Sequence, residues 1–476
     1  MVGRRLPARA SAGGPADVGA ARRVVVGGAG LAGLTAALDL MANGWSVVVV
    51  EARDRVGGRV HTLSAPFTAG LHAEAGGESI DENHHDLLAM IRRFGLATER
   101  RPPQKPYDAV VYYRRRRDRL PTFLAGRGGT VLSDVLRYSQ AEAALGDGVD
   151  PEHPERAARA EELDRRSLEG FVRDQRLVPE ADFIVRLQDR SLYNAELSDI
   201  SLLFVAQQSA QAASEEITPV DSFVAVETMR INGGNSRLPL AMAGALGTRV
   251  RLGSPITRVE HGRHGVRVHA VGQRPIDAAW LVLATPLQPL RRVCFSPALP
   301  SSLASVVAGL DLGDAVKVIR EYSAAFWLAE GFSGFTLTDL PFGVAWAPTD
   351  SQLTPRGLLT EFVTGHAARR ASARPATERM RRFQAQLDEV YPEARSLVTP
   401  RAATMAWSRE PYTGGGYAVY KPGQMAPFFS ALRSGAARIR FAGEHTCALA
   451  GYMESAVRSG HRAAAEVGSP PPALLS

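Results

Sequence analysis

The run Val24-Val25-Val26-Gly27-Gly28-Ala29-Gly30-Leu31-Ala32-Gly33, followed by Val47-Val48-Val49-Val50-Glu51, decides the fold. It predicts a buried strand, a glycine-rich turn, a helix, a second buried strand and an acid at that strand's end. This layout grips the pyrophosphate and ribose of a dinucleotide. Gly28 allows the tight turn, and Gly30 lets the backbone approach the phosphates. Ala32 belongs to the first helical turn, and Gly33 lets the helix pack closely on the sheet. The helix runs through Leu34, Leu38 and Met41 and stops at Asn43-Gly44. Its N-terminus turns free N–H groups toward the phosphates. Glu51 is spaced to accept hydrogen bonds from ribose hydroxyls. The pattern alone leaves NAD and FAD both open.

Composition narrows the class. The chain has 476 residues, 45% of them hydrophobic, and a net charge of +7. That is enough for two large substructures with a substantial core. No apolar run reaches membrane-spanning length. Two cysteines, Cys294 and Cys447, stand at no metal or disulfide spacing and fit a reducing cytoplasm, so a cytoplasmic location is expected. The positive charge is almost wholly arginine. Arg114 to Arg117 form its densest run, but no nucleic-acid-binding motif accompanies it. It reads as a solvated hairpin turn between Val110–Tyr113 and Leu120-Pro121.

The segment Glu51-Ala52-Arg53-Asp54-Arg55-Val56-Gly57-Gly58-Arg59 resembles the extended dinucleotide motif of the flavin amine oxidase family, which includes monoamine, polyamine and L-amino-acid oxidases. The resemblance selects FAD. Gly58 then passes close to the cofactor, while Arg53 and Arg59 offer forked donors to its diphosphate. A second match lies near the C-terminus, in Phe441-Ala442-Gly443-Glu444-His445-Thr446 and Gly451-Tyr452-Met453-Glu454. There Glu444 is expected to bind cofactor hydroxyls. The helix beginning near Tyr452 and Met453 would point its positive end at the flavin pyrimidine ring.

The resemblance also assigns the reacting face. Tyr417, in Thr413-Gly414-Gly415-Gly416-Tyr417, pairs with Tyr452 as the aromatic pair in front of the flavin. Lys317, one of only three lysines, matches the family lysine that holds a water against flavin N5. Trp407 is expected near the flavin or in the core. Ile256 matches a position whose backbone contacts adenine. Gly76 and Gly77 lie in the stretch that runs along the flavin. Glu78 follows where many L-amino-acid oxidases carry a carboxylate-binding arginine, which weighs against amino-acid oxidation. Two roles stay open for Glu78: attracting or exchanging protons with an amine, or bonding to the ribityl chain or a turn. Gly416 stands where covalent relatives carry cysteine, so FAD is expected to be non-covalent. Cys447 reads as a small packing residue. His84-His85 have no metal partner and are expected to be exposed near a helix start.

The expected fold class is α/β: a Rossmann-type, glutathione-reductase-like FAD-binding domain interleaved with an α+β substrate domain carrying a helical insertion. The predicted boundaries are a disordered extension at 1–20, a FAD-binding domain from 21–85, 230–300 and 430–467, a substrate domain from 86–229 and 301–429 with its helical part at about 130–215, and a loose tail at 468–476. Asp81-Glu82-Asn83 are expected to cap a helix carrying Leu87, Leu88, Ile91 and Phe94. Tyr193, Phe204 and Phe335 could line the pocket, with core packing the better reading. The resemblance implies oxidation of an amine to an imine, with O2 as acceptor and H2O2 as product. The implied partners are a small-molecule amine or amide and O2, with neither nucleic acid nor membrane, and a homodimer left open. Alternatives are a secondary-metabolism tailoring oxidase with imine-driven cyclisation, an L-amino-acid oxidase, and a flavin-dependent desaturase or isomerase.

Overall fold

The computed structural model describes residues 18–100, 109–126, 128–215, 229–352 and 354–468. Most of the predicted N-terminal extension, and the tail beyond Gly468, lie outside these residues. Val18–Ala21, at the extension's end, form a short helix.

A parallel five-stranded sheet carries the dinucleotide motif. Its order is Ile439–Phe441, Trp280–Leu283, Arg23–Gly27, Ser46–Val50 and Val250–Arg251. The valine runs suit this sheet because both of its faces are covered. Val24, Val26, Val47 and Val49 pack with the helices Leu31–Ala42 and Met453–Val467. Val25, Val48 and Val50 pack the other way, with Val259, Val266 and Val268 of a four-stranded sheet. Gly460 lets the C-terminal helix lie directly on the nucleotide helix, since a Cβ there would stand 2.5 Å from the Ala32 carbonyl oxygen.

A seven-stranded sheet builds the second half. Its order is Val398–Ala406, Ala315–Tyr322, Gly357–Thr364, Val344–Trp346, Thr336–Thr338, Val110–Tyr113 and Arg116–Arg119. Lys317 pairs with Phe362, Ile319 with Thr360, and Thr360 with Trp346. Alternation puts Lys317, Phe362 and Trp346 on one face. That face meets Phe67, Leu71 and Ala73, which pack on Ile319 and Leu358. The opposite face carries Val316, Val318 and Val363 against Phe383 and Leu387 of the helix Ala376–Val390. Helices Thr130–Ala143, Pro179–Tyr193 and Leu202–Ser214 form the insertion.

Three local expectations are refined. Arg114 and Arg115 make a two-residue turn with positive φ, and the basic run continues as the strand Arg116–Arg119. Arg117 and Arg119 lie over the Phe332 ring, so the run is only partly a solvated loop. The helix His85–Arg93 is not capped by a side chain of Asp81, Glu82 or Asn83. Glu454, from the C-terminal helix, accepts its Asp86 and Leu87 N–H groups at 3.1 and 2.7 Å. Tyr193 and Phe204 are core residues whose ring centroids lie 5.6 Å apart. Among the described residues no helix is long and apolar enough to cross a membrane.

One buried acid sits badly in this frame. Glu361 is 2% exposed on the apolar face of the large sheet. Neither of its carboxylate oxygens has a hydrogen-bond partner among the described residues, and burial pushes its pKa up to about 8. The native chain therefore keeps a proton that the unfolded chain loses near 4.5. Stability falls as pH rises from that value through about 8. Thermal melts should show Glu361→Gln with a higher Tm than the parent at about pH 9 and little difference at about pH 5. A gap equal at both pH values would contradict the assignment.

Candidate active site

The site is assembled around a cavity of about 500 Å³ where the two halves meet. At one end the first strand leaves through Gly28, whose φ is +105°; a Cβ there would stand 2.7 Å from the Ala284 carbonyl oxygen. Gly33 fits only without a side chain, since its Cβ would fall 2.0 Å from the Gly28 carbonyl oxygen. Gly30 differs from both: a Cβ there meets nothing within 4 Å, and Gly30 lines the cavity. It is an open cradle at the start of a helix, where free N–H groups meet an anion. Gly58 passes alongside, with Leu31 and Ala32 completing the wall.

Glu51 also lines this cavity, and its carboxylate accepts the Ala29 N–H at 2.7 Å and the Arg53 N–H at 2.9 Å. The acid thus braces the glycine turn as well as facing the part of the cavity that Ser254 and Ile256 line. Arg53 donates to the Thr413 hydroxyl at 2.5 Å and pairs with Glu410 at 3.4 Å. Arg59 donates to the Gly416 carbonyl and to Glu444 Oε1, both at 2.6 Å. Burial pushes the Glu444 carboxyl up, but the Arg59 charge and the bonds from Arg59 and the Gly451 N–H outweigh it and hold the group below its ordinary value.

The other end carries the aromatic residues. Tyr417, Tyr452, Met453 and Gly77 all line the cavity. Gly451 lies against the Tyr417 ring, where a Cβ would come within 3.3 Å. His84 corrects an expectation: it is 2% exposed and its ring meets Tyr452 edge to face, with centroids 5.5 Å apart. The Asp81 N–H donates to His84 Nδ1 at 3.1 Å, turning the ring inward, and burial lowers its pKa to about 4. His85 is exposed as predicted.

Four predicted residues stand behind the cavity wall. Gly76 packs on Arg59, whose carbonyl oxygen would lie 1.8 Å from a Cβ. The Trp407 indole donates to the Ala75 carbonyl at 2.8 Å. Lys317 donates to the Glu74 and Gly76 carbonyls and to Glu78 at 3.1, 3.0 and 2.9 Å. Glu78 also meets Arg230 and the Trp346 indole, so its charge is matched within the protein. No local motif in the sequence marks Arg230 or Trp346, and His84 reads there only as an exposed residue near a helix start. Burial leaves Glu74, beside Lys317, with a pKa raised to about 7.

These residues fit FAD: the Gly30 cradle, two arginines and Glu51 at one end, an aromatic pair at the other. Neither cysteine of the chain lines the cavity, and Gly416 has no side chain, so the cofactor is held without a cysteinyl link. Gly30→Ala should fold with an unchanged Tm but bind FAD more weakly, because its methyl enters the cradle. Gly76→Ala should lower Tm by several degrees, because its methyl meets backbone. Calorimetry and flavin titration read the two effects apart, and loss of fold in Gly30→Ala would contradict the cradle.

Comparison with known proteins agrees with this geometry. The family model of flavin-containing amine oxidoreductases matches residues 31–468. AofH of Mycobacterium tuberculosis (strain ATCC 25618 / H37Rv), named as a flavin-containing monoamine oxidase, is 31% identical over 450 residues, 93% of this chain and 96% of that one. Among solved structures, putrescine oxidase superposes with a TM-score of 0.85 at 27% identity, covering 94% of this chain and 98% of that one. Cyclohexylamine oxidase from Brevibacterium oxydans IH-35A gives 0.84 at 27% identity, with the same coverage. The chain belongs to the flavin-containing amine oxidoreductase family, as an FAD-dependent oxidoreductase acting on amines.

Proposed function

We propose that the protein oxidises the C–N bond of a small-molecule amine to an imine and passes the electrons to O2, releasing H2O2. The observation that carries this reading is that Tyr417 and Tyr452, from two distant loops, line one cavity with Gly77, directly in front of the Lys317 strand. FAD, when bound, supplies the two-electron acceptor for the substrate C–H bond. The protein's part is placement. Two phenol rings favour a compact amine and orient its C–H bond. Met453 and Tyr452, the latter with the His84 ring against it, line that end of the cavity. Loss of hydride from carbon and a proton from nitrogen leaves the imine, which water hydrolyses after release.

The amino-acid reading gains no support from Arg230, whose charge is matched by Glu78 at 2.8 Å and Asp350 at 3.1 Å. Two of the structural neighbours are a putrescine oxidase and a cyclohexylamine oxidase. Primary amines without a carboxylate are therefore the substrates to try first.

The test is anaerobic mixing of purified yellow protein with primary amines, amino acids and amides, followed by a peroxide assay in air. Bleaching by amines with one peroxide formed per imine is expected; bleaching by amino acids or amides alone would overturn the reading. Lys317→Met should slow flavin reduction or reoxidation at least about 10-fold more than it weakens FAD binding. Equal losses would instead assign that lysine to cofactor retention.

A further inference from the structure

The Lys317 ammonium has three donors, and each has an acceptor: Glu74 O at 3.1 Å, Gly76 O at 3.0 Å and Glu78 Oε2 at 2.9 Å. The second oxygen of Glu78, Oε1, accepts the Trp346 indole N–H at 2.9 Å and lies 2.8 Å from Arg230 Nη2. Arg230 is held in turn by the Pro348 carbonyl at 2.7 Å and by Asp350 at 3.1 Å. The Lys317 ammonium also stands 5.0 Å from the Trp346 ring centroid. Lys317, Glu78 and Arg230 are all buried. A single carboxylate thus grips two neighbouring residues of one sheet face and is itself pinned from the Met229–Ile231 strand.

We propose that Glu78 is a positioning residue for amine oxidation: it fixes the Lys317 ammonium and the Trp346 ring together, and Arg230 holds the carboxylate between them. The proposal rests on the amine-oxidation reading above. Lysine is a flexible point charge on a four-carbon stem, and its direction is set only by its partners. Its contact Gly76 adjoins Gly77, which is on the cavity wall. A displaced ammonium is therefore felt one residue from the reacting end of the cavity. Two cations and two carboxylates make the socket neutral overall, so the buried ions compensate one another. Glu78 spends its charge inside the socket, which sets aside the role of attracting a cationic amine.

The chain's three lysines make the test direct. Lysine labelled with carbon-13 at Cε gives one resonance per lysine, readable on cofactor-free protein. In Glu78→Gln the Lys317 resonance is expected to move while that of Lys421, on the surface, stays. In the FAD-loaded enzyme the same variant should slow anaerobic flavin reduction by about 10- to 100-fold, with FAD affinity and KM nearly unchanged. Glu78→Gln should add nothing further in a Lys317→Met background, because the two act as one unit. An unmoved Lys317 resonance, or rate losses that multiply in the double variant, would overturn the proposal. Should Glu78→Gln not fold, Trp346→Phe removes only the indole arm; a shifted Lys317 resonance with slower reduction supports the clamp, and no change in either refutes it. If no amine reduces the flavin, the resonance still reports on the clamp, so its failure and that of the functional reading stay distinct.

Discussion

The ion pair between Arg59 and Glu444 is the knot on which the site depends. Arg59 Nη1 bonds Glu444 Oε1 and the Gly416 carbonyl, each at 2.6 Å. Glu444 Oε2 takes the Gly451 N–H at 3.0 Å and the Ala418 N–H at 3.4 Å. One arginine from the dinucleotide half thereby fixes the backbone on both sides of Tyr417 and just before Tyr452. Charge-assisted bonds of this length are about twice as strong as neutral ones. Loss of Arg59 would leave the buried Glu444 charge without compensation, at a cost of up to about 3–5 kcal/mol. The same loss would release both aromatic loops together.

Close backbone approaches surround that knot. The Arg59 carbonyl lies under Gly76 at a distance that leaves no room for a side chain there. The loop carrying Gly57 and Gly58 then runs beside Gly30, with the Gly57 N–H bonded to the Ala29 carbonyl at 2.8 Å. Gly76 is required by this close approach, whereas Gly57 and Gly58 have positive φ of +95° and +58°. Gly30 is the exception: a Cβ there would meet only the open cavity.

This distinction also marks how far the sequence could be read. The valine runs, the glycine turn and the acid at the second strand's end are local signals, and the parallel sheet matches them strand by strand. The C-terminal motif is equally local, so Glu444, Tyr452 and Met453 could be placed on the cavity. Gly76 and Trp407 are in the expected region but one layer back, because a motif fixes neighbourhood and not which side of a strand faces the ligand. The Glu454 cap on the helix His85–Arg93 joins residues 367 positions apart. No periodicity reveals such a bond. Likewise, His84 reads as an exposed helix start until the Tyr452 ring is brought against it. Glu78 was left with two roles from sequence because its partners, Lys317, Arg230 and Trp346, are all supplied by tertiary structure.

The large sheet shows why a lysine can sit in an apolar strand at all. Along Ala315–Tyr322, alternate residues turn either to a dry cluster or to the segment Phe67–Glu78. On the dry side Glu361 has no hydrogen-bond partner among the described residues, and burial raises its pKa to about 8. On the other side Lys317 meets two carbonyls that turn inward and a carboxylate, and its charge is supported. The two residues are only one strand apart, and the sheet's period of two decides their opposite fates. A one-residue slip of the lysine strand would put the ammonium among Phe383 and Leu387 and remove the socket's cation. Register in this sheet therefore sets the lysine's surroundings as much as the packing. Glu321 helps to hold it, accepting from the Thr68 N–H and hydroxyl at 2.8 Å each, four residues beyond the lysine on the same face.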